Sequence, residues 1–203
     1  MEYNEVHIFG DSHHGTLQGC ELKDNSIHVG YYNLSPMTMY QATLVKKDFF
    51  TPLTELKGLL IFCFGEIDTR CLIHNQIHEK GRQEDEVINT LADSFIDNML
   101  SIHYPIAIMS VVPPIKFYGE NYDFEIMHKG FPFSGSDEDR SRYTRKLNAR
   151  LQERCKEKNV IYINVYDAYK DEEGFLRKED SDGAVHIRNK SKAFKIIKEL
   201  NLF

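Results

Sequence analysis

The sequence predicts an α/β domain in which helices cover both faces of a parallel sheet. Short, continuous apolar runs alternate with longer amphipathic segments, and several of the apolar runs stop abruptly at glycine or proline. An apolar run without polar alternation is typical of a strand buried on both faces, and strands that alternate with helices indicate right-handed crossover connections. The chain has 203 residues, which suits one domain, 1–203, built as a three-layer α/β/α sandwich.

The predicted strands are the apolar runs at 6–9, 27–29, 59–64, 106–112 and 160–165. The run at 27–29 is the weakest of them, whereas the runs at 59–64 and 106–112 are continuous and end at Gly65 and Pro113. We expect a sheet of about five strands in the flavodoxin-like order, in which the first strand lies between the second and the third.

Amphipathic periodicity predicts helices at 86–102, 137–158 and 191–200. In each segment apolar residues recur at the 3.6-residue period, while the remaining positions are mostly polar. In parallel α/β sheets, ligands bind outside the carboxyl ends of the strands, where the first strand meets its two neighbours. The segments 10–13 and 65–68, which follow the first and third strands, are therefore the candidate ligand site.

The chain carries 25 Lys and Arg against 31 Asp and Glu, a net charge of −6. Phosphate binding needs a cationic face, so we expect no nucleic-acid partner. The N-terminus has neither a basic segment nor a long apolar run, which predicts no signal peptide and no membrane anchor and makes a cytoplasmic location the expectation. The four cysteines are irregularly spaced and are expected to be reduced thiols.

Ser12 follows the first strand through Gly10-Asp11 and is expected to open a helix. Its hydroxyl would then lie exposed on the rim of the sheet, beside helix N–H groups that can stabilise a developing negative charge. A serine nucleophile needs a base that a third group orients, and Asp182 and His186 stand together in a loop before the last helix. Either motif alone is also explained by an ordinary turn, but their pairing at opposite ends of an α/β pattern favours catalysis.

The sequence resembles the SGNH/GDSL hydrolase superfamily. The Gly-Asp-Ser at 10–12 is similar to the first block of that family, and Asp182 with His186 is similar to its last block. Three segments look like one branch of the superfamily, whose third block reads Gly-Glu-Ile-Asp-x-Arg-Cys: 64–71, 142–148 and 182–187. The resemblance spans nearly the whole chain. It implies ester hydrolysis in which Ser12 attacks the carbonyl, His186 transfers protons and Asp182 orients His186.

The third block departs from the superfamily at its asparagine, which donates to the oxyanion and is replaced here by Ile67. An isoleucine side chain has no donor, and the loss of one such donor typically lowers the rate by about 10²–10³-fold. Arg70 is the candidate replacement, because a guanidinium can stabilise an oxyanion by charge and by hydrogen bonds. Its alternative role is to pair with Asp68 or Glu66 of the same block.

Three further positions leave alternatives open. The oxyanion glycine after the second strand corresponds either to Gly30 or to Ser35, in each case through the backbone N–H. Three residues separate Asp182 from His186 where the superfamily usually has two, so the group that orients the imidazole is either Asp182 or a backbone carbonyl. His13, next to the nucleophile, is expected to contact substrate or to support the oxyanion.

No metal and no cofactor are expected. His74 and His78 are spaced i, i+4, but a third ligand does not stand at a recognisable spacing. A flavodoxin-like cofactor would need a phosphate loop, and the segment 10–15 carries an acid, Asp11, where anion binding disfavours one.

The segment 113–137 is long for the connection of a strand to a helix, which usually takes about 2–6 residues. It is also rich in aromatic residues: Phe117, Tyr118, Tyr122, Phe124, Phe131 and Phe133. Because the segment leaves from the carboxyl end of a strand, we expect a lid or a wall of the substrate pocket. The alternative is an interface through which the chain forms a homo-oligomer.

The sequence as a whole predicts a serine esterase that removes a small acyl group. Family analogy makes an O-acetyl group on a carbohydrate the preferred substrate. Transfer of the acyl group to another acceptor would use the same triad. The alternative from another class is a non-catalytic module that binds a carbohydrate or another ligand, which Ile67 favours and the retained Ser12, Asp182 and His186 oppose.

Overall fold

The computed structural model describes residues 3–19, 27–45, 58–116 and 130–202. Within these ranges the strands are β1 (Glu5–Gly10), β2 (His28–Asn33), β3 (Leu59–Cys63), β4 (Ile106–Met109) and β5 (Ile161–Ile163). They form a five-stranded sheet in the order β2-β1-β3-β4-β5, with every neighbouring pair parallel. The predicted α/β class and the predicted strand order are confirmed.

The strands differ from the predicted runs mainly at their carboxyl ends. β2 continues to Asn33, because its backbone pairs with β1 as far as the last residue of β1. β4 already ends at Met109, and β5 ends at Ile163 because Asn164 begins a helix by accepting a hydrogen bond from the N–H of Asp167. The apolar pattern does not mark these ends, since buried backbone beyond a strand also carries apolar side chains.

Within the described ranges the α-helices are α1 (Met39–Leu44), α2 (Ile73–His78), α3 (Glu84–Leu100), α4 (Asp137–Lys158), α5 (Val165–Tyr169) and α6 (Ser191–Glu199). Short 3-10 segments lie at Ser12–Leu17 and Lys178–Asp180, and a π-helical turn, Asp68–Leu72, leads directly into α2. The predicted helices correspond to α3, α4 and α6. The helices α1, α2 and α5 have only five or six residues, which is too short for a periodic apolar pattern to predict them.

Helix α4 has the predicted bounds because its sequence marks both of its ends. Ser136 and Asp139 form a capping box at the N-terminus, and Asn159 ends the helix in the left-handed conformation. The residues at four-residue steps are fully buried: Tyr143, Leu147, Leu151 and Cys155. One face of α4 therefore packs against the sheet, as its periodicity predicts.

Two apolar clusters cover the two faces of the sheet, which makes the fold the predicted three-layer sandwich. Alternate residues of β3 divide between the clusters. Leu60 and Phe62 pack on the side of α3 and α4. Leu59, Ile61 and Cys63 pack on the side of α5 and α6. The central strands are thus buried on both faces, and β2 and β5 form the edges of the sheet.

Two further properties concern the described ranges alone. No helix in them is long and apolar enough to cross a lipid bilayer. Cys63, Cys71 and Cys155 are buried, whereas Cys20 lies outside the described residues.

Candidate active site

The end of β1 places Ser12 on the rim of the sheet. Gly10 is the last residue of β1, and a Cβ atom there would lie 2.3 Å from the carbonyl oxygen of Cys63, so only glycine fits beside β3. Asp11 turns the chain into a 3-10 segment and caps it, because its carboxylate accepts from the N–H of His13 at 2.8 Å. Ser12 therefore begins a helical segment, as expected, and its backbone N–H is one of those that a helix start leaves without an intrahelical partner.

The loop before α6 is closed by its own hydrogen bonds. Ser181 and Ile187 pair as an isolated antiparallel bridge. Between them, Oδ1 of Asp182 accepts from the N–H of Ala184 at 2.8 Å and from that of His186 at 3.2 Å. The other oxygen of Asp182, Oδ2, lies 3.0 Å from Nδ1 of His186. Of the two groups considered from sequence, the aspartate and not a backbone carbonyl is the one that meets the imidazole.

The imidazole of His186 connects this loop to Ser12. Its Nε2 lies 2.9 Å from Oγ of Ser12, although the two residues are 174 positions apart in the chain. The side chains of Ser12, His186 and Asp182 thus form one hydrogen-bonded series, with distances suited to proton transfer. An imidazole whose Nδ1–H donates to a carboxylate presents the lone pair of Nε2 to the serine hydroxyl. The arrangement can therefore remove the proton of Ser12.

The charges around these three side chains also favour an ionised Asp182 and a neutral His186. Partial burial raises the pKa of Asp182, but the N–H of Ala184 and the ring of His186 outweigh it and lower that pKa. Burial and the positive charge of His13 lower the pKa of His186, against the opposing effect of Asp182. At neutral pH, Asp182 is consequently a carboxylate and His186 a neutral base.

His13 lies in this site with both of its ring nitrogens bound to protein atoms. Nδ1 is 3.0 Å from Oδ1 of Asp11, and Nε2 is 3.2 Å from the carbonyl oxygen of Val185. The ring centroid lies 4.9 Å from that of His186, with the planes tilted by 33°. The side chain is buried and both of its nitrogens face protein atoms, while the residue also lines the depression beside Ser12. Its expected contact with a substrate or an oxyanion stays a prediction.

The contacts of His13 involve two residues for which no role of their own was predicted from the sequence, Asp11 and Val185. Asp11 carries a usable sequence signal, because an aspartate that caps a helix stands two residues before a histidine. Val185 contributes a backbone carbonyl, and a backbone contact between distant segments leaves no trace in the side-chain pattern. This part of the site is visible only in three dimensions.

The third block supplies structural contacts around the site. Nε of Arg70 donates to Oε1 of Glu66 at 2.7 Å, and its Nη1 donates to the carbonyl oxygen of Phe131 at 2.5 Å. Of the two roles considered for Arg70, pairing with Glu66 is therefore the one that the structure shows. Asp68 does not join this pair: its two oxygens accept the N–H groups of Met39 and Tyr40 at the start of α1.

Burial of two residues in this block affects its chemistry. Burial is the main cause that raises the pKa of Asp68 to about 6, with Asp11 adding to it. Ile67 is also buried, and its side chain supplies no hydrogen-bond donor. The backbone N–H of Ser12, at the start of the 3-10 segment, is thus the candidate donor to an oxyanion at this rim.

The two candidates for the second-block donor occupy different places. Gly30 lies inside β2, where it pairs with His7 of β1, and not after the strand as expected. The longer β2 is the physical reason, since pairing with β1 continues to Asn33. Ser35 does follow the strand end, but its N–H donates to Oδ1 of Asn33 at 2.9 Å. The residue before it, Leu34, donates its N–H to the carbonyl oxygen of Gly10 at 2.7 Å. Of the two candidates, Ser35 is therefore the one that lies next to the end of β1.

An open depression of about 280 Å³ adjoins the hydroxyl of Ser12. Its lining consists of Ser12, His13, Gly15, Thr16, His186, Ile187 and Lys190. A Cβ atom placed on Gly15 would meet no atom within 4 Å, so this side of the depression is free of protein. Most of the aromatic residues of the predicted lid, Phe117, Tyr118, Tyr122 and Phe124, lie outside the described residues. The described end of that segment packs on the third block, since Phe133 lies under the guanidinium of Arg70.

Among the described residues, no group of three or more His, Cys, Asp and Glu side chains could hold a metal ion. The rings of His74 and His78 stack at 4.1 Å, and Nδ1 of His74 lies 3.2 Å from the hydroxyl of Tyr143. The two histidines therefore pack against each other, and His74 also contacts Tyr143 of α4.

Comparison with solved structures supplies the fold family. A GDSL-like lipase from Bacteroides thetaiotaomicron is similar with a TM-score of 0.59 and 16% identity, over 97% of this chain and 85% of the lipase. An acetyl xylan esterase is similar with a TM-score of 0.54 and 13% identity, over 97% of this chain and 98% of the esterase. A member of the lipolytic protein G-D-S-L family from Veillonella parvula is similar with a TM-score of 0.50 and 15% identity, over 100% and 98%.

No protein-family model and no curated protein matches the chain. At these low identities the similar structures bear on the fold, and they agree with the sheet order and layers described above. This chain therefore has the three-layer α/β fold of the SGNH/GDSL hydrolases.

Proposed function

We propose that the protein is a serine ester hydrolase whose catalytic residues are Ser12, His186 and Asp182. The observation that carries the proposal is the continuous series from Oγ of Ser12 to Nε2 of His186 at 2.9 Å and from Nδ1 of His186 to Oδ2 of Asp182 at 3.0 Å. A serine that only begins a helical segment has no need of a histidine and a carboxylate in line behind it. The fold shared with GDSL-like lipases and esterases supports the proposal.

The reaction follows from the geometry. Oγ of Ser12 attacks the ester carbonyl carbon while Nε2 of His186 accepts its proton, and Asp182 stabilises the resulting imidazolium. Collapse of the tetrahedral intermediate breaks the bond to the alcohol, which leaves with the proton from His186. Water, deprotonated by His186, then attacks the acyl-serine and releases the acid with free Ser12.

The oxyanion site limits which esters react well. The N–H of Ser12 stands at the start of the 3-10 segment, where it has no intrahelical partner, whereas Ile67 brings no side-chain donor. Each missing donor typically lowers the rate by about 10²–10³-fold, so activated esters should turn over more readily than alkyl esters. This expectation makes an aryl acetate a suitable first substrate.

We propose a small acyl ester, with O-acetyl on a carbohydrate as the first class to examine. The depression beside Ser12 is about 280 Å³ and open, which suits a short acyl group attached to a bulky alcohol that extends into solvent. The similarity in fold to an acetyl xylan esterase supports the same class. An acyltransferase would share every step up to the acyl-serine and differ only in the acceptor.

Hydrolysis of p-nitrophenyl acetate tests the proposal. Relative to the wild type, Ser12→Ala and His186→Ala should each lower kcat/KM by at least about 10³-fold, because each removes a member of a unit that acts together. Ser94→Ala is the matched control, since Ser94 is an exposed serine of α3, and it should keep full activity. Turnover that does not depend on Ser12 would refute the proposal.

The acyl acceptor is examined with the same preparation. Acetylated xylan and acetylated hexosamines are incubated with the enzyme, and released acetate is compared with acetyl ester formed on an added acceptor sugar. A hydrolase releases acetate in proportion to substrate consumed, whereas a transferase forms the new ester. Binding of the glycans without any turnover would favour the non-catalytic module instead.

A further inference from the structure

The hydrogen bonds of His13 define its protonation state by geometry alone. Nδ1 faces a carboxylate oxygen of Asp11 at 3.0 Å, and Nε2 faces the carbonyl oxygen of Val185 at 3.2 Å. Neither acceptor carries a hydrogen to give, and a neutral imidazole has a donor on only one nitrogen. Both contacts are hydrogen bonds only when the ring is an imidazolium.

The charged groups that face His13 agree with that assignment. Asp11 faces it from the end of β1, Glu66 from the third block, and His186 with Asp182 from the loop before α6. Burial by itself lowers the pKa of His13, but the carboxylates of Asp11 and Glu66 outweigh burial and raise it to about 9. Glu66 also forms an ion pair with Arg70, so its carboxylate interacts with two cations, Arg70 and His13.

We infer that His13 is, as an imidazolium, a positioning residue for His186: it ties the backbone next to His186 to the end of β1, and its charge keeps the base neutral. The inference rests on the proposed function, in which His186 is the general base. His13 acts through His186, because its own ring nitrogens bind Asp11 and Val185.

The fastening acts through the residue that precedes the base. Val185 stands immediately before His186, and its carbonyl is held by His13, whose other nitrogen is anchored on Asp11 at the start of the Ser12 segment. Nucleophile and base are thus tied to one another through a second route besides their own hydrogen bond. The hydrogen bonds of Ser181 and Asp182 to Ala184 and His186 lie within 181–187 and shape the loop itself. Farther along, Lys190 donates to the carbonyl oxygen of Gln18 at 3.3 Å and also ties the loop to the segment that Ser12 begins.

The charge acts through the short distance between the rings. The two imidazole centroids lie 4.9 Å apart, so a proton on His186 would put two cations next to each other in a partly buried site. Asp182 opposes this effect and Glu66 does so from farther along the rim. The balance keeps His186 able to accept the Ser12 proton at a pH below the ordinary histidine range.

A spectroscopic test needs no substrate. Two-bond ¹H–¹⁵N spectra of the intact protein, labelled on histidine and assigned with His13→Gln and His186→Ala, report the protonation of each ring nitrogen between pH 5 and 10. At pH 7.5, His13 should carry protons on both nitrogens, and His186 should be neutral with its proton on Nδ1. A neutral His13 at pH 7.5 overturns the inference, whether or not the protein hydrolyses esters.

A kinetic test measures the consequence for the base. In the profile of kcat/KM for p-nitrophenyl acetate against pH, activity rises as His186 loses its proton. Loss of the charge in His13→Gln should move this rise upward by about one pH unit, as expected for a charge some 5 Å away in a partly solvated site. His14→Gln, a buried histidine of the same segment whose ring contacts the Asp11 carbonyl, is the control and should not move it.

A second variant covers the case in which His13→Gln does not fold. Asp11→Asn keeps a helix-capping side chain but removes the counter-charge of His13. The titration midpoint of His13 in the ¹⁵N spectra should then fall by at least about one pH unit. An unchanged His13 midpoint in Asp11→Asn, or an unmoved activity profile in folded His13→Gln, would contradict the inference. Activity that is absent altogether while His13 is doubly protonated would instead count against the proposed function.

Discussion

At the scale of single residues, Asp182 uses its two oxygen atoms for two different tasks. Oδ1 accepts the N–H groups of Ala184 and His186 and so shapes the loop, while Oδ2 meets the imidazole of His186. The extra residue between Asp182 and His186, compared with the usual spacing of the superfamily, fits because Oδ1 closes the turn. The shape of the loop and the orientation of the base therefore depend on one side chain.

Asp182→Asn separates these two tasks. The amide oxygen can still accept from the loop backbone, but the NH₂ group cannot accept the Nδ1–H of His186, so the imidazole loses its orienting partner. We expect kcat for p-nitrophenyl acetate to fall by about 10³–10⁴-fold with the fold retained. Asp171→Asn is a matched control, since Asp171 holds the backbone of Glu173 and Phe175 without a histidine. A kcat for Asp182→Asn within tenfold of wild type would show that the carboxylate does not orient the base.

At the scale of elements, α4 packs against the sheet with its buried side and against α3, in the same layer, with its partly exposed side. Its basic side chains meet acidic side chains of α3 along both helices: Arg142, Lys146, Arg150 and Arg154 with Glu84, Asp85, Asp93 and Asp97. These pairs account for several of the basic side chains in that stretch of the sequence. Such partly exposed pairs contribute little individually, so the stability of the contact comes mainly from its buried side.

The buried side of α4 contains one polar clamp. Asn148 accepts from the N–H of Val111 at 2.8 Å and donates to its carbonyl oxygen at 2.9 Å, just past the end of β4. Both residues are buried, so these backbone groups cannot turn to water instead. The clamp therefore satisfies both the N–H and the C=O of Val111, where the chain leaves the sheet after Met109.

Asn148→Leu should destabilise the protein markedly. It leaves the buried N–H and C=O of Val111 without partners, which costs about 2–4 kcal/mol of unfolding free energy. Urea denaturation followed by circular dichroism measures this change. Gln152→Leu, an exposed position of the same helix, should stay within about 0.5 kcal/mol of wild type. Equal effects of the two substitutions would mean that the clamp does not stabilise the fold.

At the scale of the whole molecule, the site brings together ionisable side chains from the beginning, the middle and the end of the chain. The end of β1 brings Asp11 and His13, the third block brings Glu66, and the loop before α6 brings His186. Charges buried together in this way make the stability of the fold depend on pH.

The free energy of unfolding should fall as pH rises from about 6.5 to 9. His13 has a pKa of about 9 in the folded protein against 6.5 when unfolded, so the folded state binds more protons across this window and loses stability as they dissociate. The upper limit of the effect is about 3 kcal/mol. His186 and His74, whose pKa values are lowered, act below this window and in the opposite direction.

Denaturation curves at a series of pH values check this dependence. Wild type should lose stability steadily between pH 6.5 and 9, whereas His13→Gln should be nearly flat in the same interval. A wild-type curve without slope there would mean that His13 is not held as a cation in the fold. The measurement is independent of any enzymatic activity.

The sequence by itself predicted the α/β class, the strand order, the bounds of α4 and Ser12, Asp182 and His186 as a candidate site. These predictions depend on apolar runs, helical periodicity, capping residues and short motifs, each of which can be recognised within a few neighbouring positions of the chain. The long helix α4 carries both a periodic pattern and caps, whereas the helices of five or six residues are too short for such a pattern.

Only the tertiary structure decided that Arg70 pairs with Glu66, that Gly30 lies inside β2, and that His13 binds Asp11 and the carbonyl of Val185. Each of these outcomes depends on which groups from distant segments become neighbours once water is excluded. A buried donor or charge binds a partner that packing brings within reach, because leaving it without a partner costs free energy. That partner can come from any part of the chain, so residues near it in the sequence do not predict it.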